Sequence, residues 1–340
     1  MSKRGISHQQ PTQKVSSEET RVEQGLKEIS ASKSVKLNLI WASTLYHPDD
    51  LPFNLKETPD VFTSFRKMCE SRGTVRPAIT SKIKPLPPMH GIEKFLSQES
   101  VMVKSLLDKD LKITQIFDQL EAQLPFDSLD TIAQADTRAG IIFRGGESEA
   151  LKRLKHYLWD TNAIQTYKET RNQSIGMDYS TKLSPYLALG CISPRTVYWE
   201  IKKYEKEVIA NDSTYWVIFE LLWRDFWKMV SVKYGNGLFY LDGPVHLGYK
   251  NESRSGSRPY HREWNTDPLL FEQWKQGKTG IPWVDAGMRE LNATGFMSNR
   301  LRQNVASFLC HSLKIDWRLG AAYFESLLID HGSFLILRIS

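Results

Sequence analysis

The sequence predicts a mainly α-helical fold preceded by one short αβ unit. From Glu147 onward apolar residues recur three or four apart, as in Leu301, Val305, Phe308, Leu309 and Leu313, and each run stops at a Gly or a polar cluster. Strand periodicity is confined to Val35–Trp41, where apolar residues stand at 35, 37, 39 and 41. Two Pro- and Gly-bearing breaks, Pro77–Pro88 and Pro125–Gly146, separate these regions.

At 340 residues, 41% of them hydrophobic, the chain can bury one large core or two smaller ones, which excludes a disordered class. A formal charge of +6 favours phosphate or nucleic-acid partners without proving either. Cys69, Cys191 and Cys310 lie too far apart for a disulfide framework or a zinc spacing, so they read as core thiols in a reducing compartment, and no metal is expected. No apolar run approaches the roughly 18 residues of a membrane span. The expectation is a soluble intracellular protein of nucleus or cytoplasm, with the acid-free first 17 residues leaving the mitochondrion open.

Taken in order, residues 1–17 are polar and expected to be disordered. Glu18–Ser30 is a charged helix and Val35–Trp41 a strand with no visible sheet partner, although about three strands or a helix cover are needed for stability. Ser43–Phe53 is a loop, and Val61–Cys69 a short helix carrying Phe62 and Phe65. Residues 77–135 form a linker with weak helical patterning over Gly91–Leu124. Glu147–Thr161 places Ala150, Leu151, Leu154 and Leu158 on one helical face, and Lys152, Arg153, Lys155 and His156 on the others. Ser193 and Pro194 open another helix as N-cap and first residue. Thr214–Val232 is a strong helix with the stripe Trp216, Phe219, Trp223, Phe226 and Trp227. Gly235–Arg262 is a long loop, after which Asp267–Gln276 and Gly280–Asp330 complete the helical set.

Three constellations carry possible chemistry. Tyr179, Ser180, Thr181 and Ser184 place hydroxyls around Lys182 just before Pro185, a set suited to a diphosphate, although an N-capped Ser/Thr turn is the plainer explanation. Glu220 and Arg224 lie four apart beside Trp223, as an ordinary helical ion pair or as the border of a flat ligand. Asn299, Arg300, Arg302 and Gln303 follow Phe296 and Met297; they are solvated groups at a capped helix start or contacts to a cofactor or nucleic acid. Any single Trp, Trp264 or Trp317 included, is most simply a core residue.

The stretches RGGESEALKRLKHYLWDTNAIQTYKETRN, DYSTKLSPYLALGCISPR, YWVIFELLWRDFW and TGIPWVDAGMRELNATGFMSNRLRQNVASFL resemble the cryptochrome/DNA photolyase family, most closely its DASH-type cryptochromes. The match runs from about Trp41 to Asp330. It implies an all-helical FAD-binding photolyase-like domain over 136–331, preceded at 18–76 by a remnant of an α/β (Rossmann-like) domain. By resemblance, Tyr167 and the run Ser180, Thr181, Lys182, Leu183 and Ser184 hold FAD, together with Glu220, Arg224, Asn299, Arg302 and Asp330. Glu220, Trp223 and Asn299 match the residues that meet the lesion. Arg171, Trp223, Arg300 and Gln303 match DNA contacts, and Trp264 and Trp317 the outer and middle members of an electron-transfer chain. Glu57 and Lys250 match positions that hold a folate antenna (methenyltetrahydrofolate).

The resemblance implies a monomeric FAD enzyme that repairs cyclobutane pyrimidine dimers with light, preferring single-stranded or UV-damaged DNA. A blue-light photoreceptor or nucleic-acid-binding protein without repair chemistry stays open, as does an inactive isoform. Family members carry further sheet strands before Val35, and continue past Asp330 with a second acidic residue, an Asn facing the flavin and an inner Trp. Residues 332–340 depart from that pattern, so the chain is expected to be truncated at both ends. Leu301 stands where DASH-type proteins often carry Gly.

Overall fold

The computed structural model describes residues 17–78, 136, 138–241, 243–247 and 263–332. Two compact units divide the chain: Met1–Ala78 with Ala139–Ser340, and Ile79–Arg138. In the second unit, Asp136 and Arg138 are the described residues, joined by an ion pair of 2.6 Å. Of the start expected to be disordered over 1–17, residues 1–16 lie outside the described residues and Ser17 is helical; the expected helical patterning over Gly91–Leu124, residues 248–262 of the expected loop, Lys250 and the tail from 333 also lie outside them.

In the first unit the helices are α1 (Ser17–Ser32), α2 (Phe62–Arg72), α3 (Glu147–Lys155), α4 (Tyr167–Thr170), α5 (Ser184–Ala188), α6 (Pro194–Glu207), α7 (Asp212–Tyr234), α8 (Pro268–Lys275), α9 (Pro282–Thr294), α10 (Asn299–Ser307) and α11 (Trp317–Leu327). The helical expectation therefore holds. Most starts are set by local side chains: Ser193, Asp267, Ser298 and Asp316 each accept a backbone N–H as N-cap. Asn211 makes a full capping box with Thr214 at the head of α7, worth about 1 kcal/mol. At the end of α9, Gly295 has φ +66, and an added Cβ would stand 2.9 Å from the Leu327 carbonyl oxygen. Glycine is required there by both backbone conformation and space.

α7 is the spine. It packs against α2, α4, α6 and the single turn Leu55–Glu57, and it buries Val217, Ile218, Leu221, Leu222, Phe226, Met229 and Val230. Each such side chain contributes roughly 1.5–3 kcal/mol by leaving water. The sequence stripe is shifted accordingly: Trp216, Phe219, Trp223 and Trp227 are only partly buried and line the flank of this core, with Phe226 inside. A second cluster, Trp274, Val284, Met288, Leu291, Met297, Leu301, Val305, Leu309, Ile315 and Phe324, is built by α8 to α11.

Two local expectations fail. No paired strand forms among the described residues, and Val35–Trp41 is extended chain with one isolated bridge at Ile40. Its continuation, Trp41–Tyr46, satisfies its backbone on side chains of α7 instead of a sheet neighbour. Asp225 accepts the N–H groups of Leu45 (3.0 Å) and Tyr46 (2.9 Å), Arg224 donates to the Ser43 carbonyl, and Lys228 donates to the Ser43 hydroxyl. On α3 the buried face carries Ala150, Arg153 and Leu154, while Leu151 is exposed. Polar work done by Arg153, described next, outweighs the apolar periodicity that favoured Leu151.

Candidate functional site

Arg153 builds the turn that precedes α5. Its guanidinium donates to the carbonyls of Thr181 (2.9 Å), Met177 (3.1 Å) and Ser180 (3.0 Å), and to the Asp178 carboxylate (2.8 Å). Burial pushes the Asp178 carboxyl up, but the hydrogen bonds from Arg153 and His156 prevail and lower it. One buried cation thus fixes four acceptors within five residues, which leaves the following side chains with a rigid base. Lys182 sits on it with φ +55, buried, its ammonium beside the Tyr179 hydroxyl, 3.6 Å from the Tyr179 ring centre and 4.8 Å from that of Phe296. Burial lowers its pKa to about 7 and raises that of nearby Glu290. Leu183 is buried, Ser180, Thr181 and Ser184 are half-buried, and Tyr167 is buried edge-on to Tyr157.

A second group sits where α4 meets α7. Arg171 donates to Glu220 at 2.8 Å, both being about one-fifth exposed, and its guanidinium lies 5.1 Å from the Trp216 ring centre. Lys168 approaches the same ring at 5.3 Å, and Trp216 stacks on Phe219 at 4.9 Å. Trp223, one turn on from Phe219, has one face covered by Phe62 at 3.6 Å and 9°. Arg224 gives its guanidinium to the carbonyls of Ser43 and Leu187, tying the Trp41–Tyr46 segment to the end of α5.

The start of α10 closes on both groups. Arg300 donates to the Asn172 side chain (2.7 Å) and to Gln303 (3.2 Å), and the hydroxyls of Ser298 and Ser174 meet at 3.3 Å. Arg302 donates to the Met297 carbonyl (2.7 Å) and to Asp330 (2.9 Å), with its guanidinium 5.3 Å from the Phe296 ring centre. Phe296 therefore stands between Lys182 and Arg302. Asn299 is exposed at the head of the helix. Asp330 is 1% exposed, and its second oxygen has no partner among the described residues; the same is true of Arg171 Nε and Trp216 Nε1.

Three sets result: Lys182, Phe296, Arg302 and Asp330; Asn172, Arg300 and Gln303; and Arg171, the chain neighbour of Asn172, with Glu220. Trp317 and Trp264 pack together around Cys310, and the Trp317 indole donates to the Leu241 carbonyl at 3.0 Å. Glu57 is exposed on its turn, near Asp60 and the Lys233 end of α7 rather than this network. Lys250 lies outside the described residues. Sequence periodicity missed Arg153, Asn172, Ser174 and Trp216, because their roles depend on partners that no fixed spacing announces. The weak signal available was polar residues crowded between Arg171 and Asp178.

Residues 216–334 match the family model described as the FAD binding domain of DNA photolyase. The chain is 51% identical to Cryptochrome DASH of Danio rerio over 322 residues, 94% of this chain and 54% of that protein. It is 47% identical to Cryptochrome DASH of Xenopus laevis, covering 92% of this chain and 53% of that one. The chain belongs to the cryptochrome/DNA photolyase family. Its fold superimposes on the crystal structure of the Synechocystis sp. PCC6803 cryptochrome with a TM-score of 0.75 and 40% identity, over 96% of this chain and 60% of that one. The cryptochrome/photolyase helical architecture thus accounts for the described unit, and the chain spans about half the length of the curated relatives it matches. Among the described residues, no helix is long and apolar enough to cross a membrane.

Proposed function

We propose that this chain is a DASH-type cryptochrome that holds FAD and repairs cyclobutane pyrimidine dimers in single-stranded DNA under blue light. The observation that carries this is the docking of the α10 start on the loop after α4: Arg300 holds Asn172, the neighbour of the Arg171–Glu220 pair, while Arg302 from the same helix start holds the buried Asp330. The residues fit a flavin nucleotide: Asp330 keeps a buried oxygen without a partner, and the Arg153-tied turn presents a preformed backbone. Tyr167, Ser180 to Ser184, Arg224, Asn299, Arg302 and Asp330 would hold the group, with Arg302 supplying fixed positive charge. When bound, FAD supplies light-driven one-electron chemistry.

This chain's own residues then bind and orient. Arg171 and Arg300 meet the backbone phosphates, and Gln303 lies beside Arg300 on the same face. Glu220, drawn from Arg171 as a phosphate enters, accepts a hydrogen bond from the lesion, while Trp223 offers an aromatic edge already fixed by Phe62. A lesion is poorly stacked, so extruding it costs least in a single strand. Glu57 and Lys250 are assigned to a folate antenna on resemblance alone.

The test is the visible absorption spectrum of the purified chain, followed by dimer loss in an irradiated oligonucleotide. A flavin band and light-dependent repair are expected, with repair per bound flavin slowed at least tenfold in Glu220→Gln. Flavin without dimer loss would assign light sensing instead; folded protein that takes up no flavin would refute the reading.

A further inference from the structure

Between Arg171 and Asp178 the chain presents an apolar residue where solvent exposure is hardest to explain. Ile175 is 91% exposed, the highest value among the exposed large hydrophobic residues described. Burying it would gain roughly 2 kcal/mol, so its position needs a reason. The loop around it is firmly held. Gln173 N–H donates to the Thr170 carbonyl at 2.8 Å, Asn172 accepts from Arg300, Ser174 meets Ser298, and Arg153 holds the Met177 carbonyl. Gly176, at φ +100, turns the chain immediately after Ile175, a conformation that side-chain-bearing residues rarely adopt. Gly140 lies close behind, where an added Cβ would come within 3.4 Å of the Gly176 carbonyl oxygen. The tip is therefore fixed in place, with Met177 also exposed beside it and arginines 171 and 300 at its base.

We propose that Ile175 is an apolar wedge that enters between neighbouring bases of a nucleic-acid strand whose phosphates are held by Arg171 and Arg300. This rests on the nucleic-acid reading above and extends it to a residue that no charge or hydrogen bond marks. Aliphatic side chains on rigid loops separate base steps in this way, and flanking cations hold the backbone while they do so. Charge complementarity selects a polyanion over a protein groove. An aliphatic tip on a loop anchored by Arg300 and preceded by Arg171 gains from contact with base faces, and the phosphate contacts repay the unstacking. The wedge also suits a strand with a gap in its stack, because there the step is already open.

The experiment uses the full chain and a fluorescent single-stranded oligonucleotide carrying 2-aminopurine stacked between two purines. Ile175→Ser should keep the fold, since the residue is exposed. It should weaken binding about tenfold and abolish the rise in 2-aminopurine fluorescence, with the salt dependence unchanged. Ile175→Leu should behave as wild type, and Arg171→Ala should lower the salt slope by about 1. If Ile175→Ser binds and unstacks like wild type while Arg171→Ala loses affinity, the wedge is wrong and the nucleic-acid reading stands. If the wild-type chain shows no salt-dependent binding at all, the nucleic-acid reading itself falls and takes the wedge with it. Self-association that Ile175→Ser abolishes would assign the tip to a second copy of the chain and overturn the proposal.

Discussion

Asp225 on α7 and Asp330 after α11 are buried alike, at 0% and 1% exposure, yet their hydrogen bonds are opposite in kind. Asp225 uses both oxygens on the amides of Leu45 and Tyr46, so every acceptor has a protein donor. Asp330 gives one oxygen to Arg302 and keeps the other without a partner among the described residues. A buried carboxylate oxygen left unpaired costs about 1–3 kcal/mol or more, which a folded chain tolerates chiefly where a ligand supplies the missing donor. The contrast gives a rule for the buried carboxylates: one satisfied on both oxygens is scaffold, and one with an open oxygen faces what binds. Arg153, with four acceptors, stands at the scaffold pole.

The largest effect should come from the scaffold. Arg153→Ala removes a buried cation, takes the donor from three carbonyls and leaves Asp178 with His156 alone, for a loss of about 3–5 kcal/mol by chemical denaturation. Stability within about 1 kcal/mol of wild type would break the contrast at its scaffold pole.

Next comes pH. Burial raises the Asp225 carboxyl from 3.8 to about 6, against the opposing pull of its two amide hydrogen bonds and of Arg224 and Lys228. Because the folded pKa is the higher, the native chain holds more protons than the unfolded chain between pH 3.8 and 6. Stability is therefore fully supported below that window and falls as pH rises through it, by about 3 kcal/mol from this group. Asp225→Asn cannot titrate and should flatten that fall. An unchanged slope in the mutant would show that other carboxyls carry it and that Asp225 is not a strained scaffold element.

Much of this was legible in the sequence where the signal is local. Ser193 announces a helix start, and 3.6-residue periodicity marks the core-facing Leu301, Val305 and Leu309, although in α7 the stripe it selects lies on the flank of the core except for Phe226. Asn299, Arg300, Arg302 and Gln303 stood out because so much polarity beside Phe296 and Met297 is unusual. Val35–Trp41 misled, since alternation shows what a strand would bury but not whether a partner exists; α7 side chains hold the backbone only of the segment that follows, at Ser43, Leu45 and Tyr46. Arg153 misled for a related reason: its acceptors lie 24 to 28 residues away, and no helical period reports them. Nothing in the sequence marks Ile175, because its neighbours are pinned by partners far along the chain at Ser298 and Arg300.

The smallest effect on stability, and the sharpest on binding, belongs to Asp330→Asn. The amide oxygen still accepts from Arg302, and Arg302 keeps its bond to the Met297 carbonyl, so only charge assistance is lost. That should cost about 1 kcal/mol in denaturation. The side chain's other position now carries an NH2 donor where an acceptor faced inward, and a flavin group that donates there meets a second donor. Retained flavin per chain, read from the ratio of visible to ultraviolet absorption after gel filtration, should fall at least tenfold while the denaturation midpoint scarcely moves. Wild-type flavin content in Asp330→Asn would mean that the unpaired oxygen faces no ligand, and that the contrast between Asp225 and Asp330 reflects packing alone.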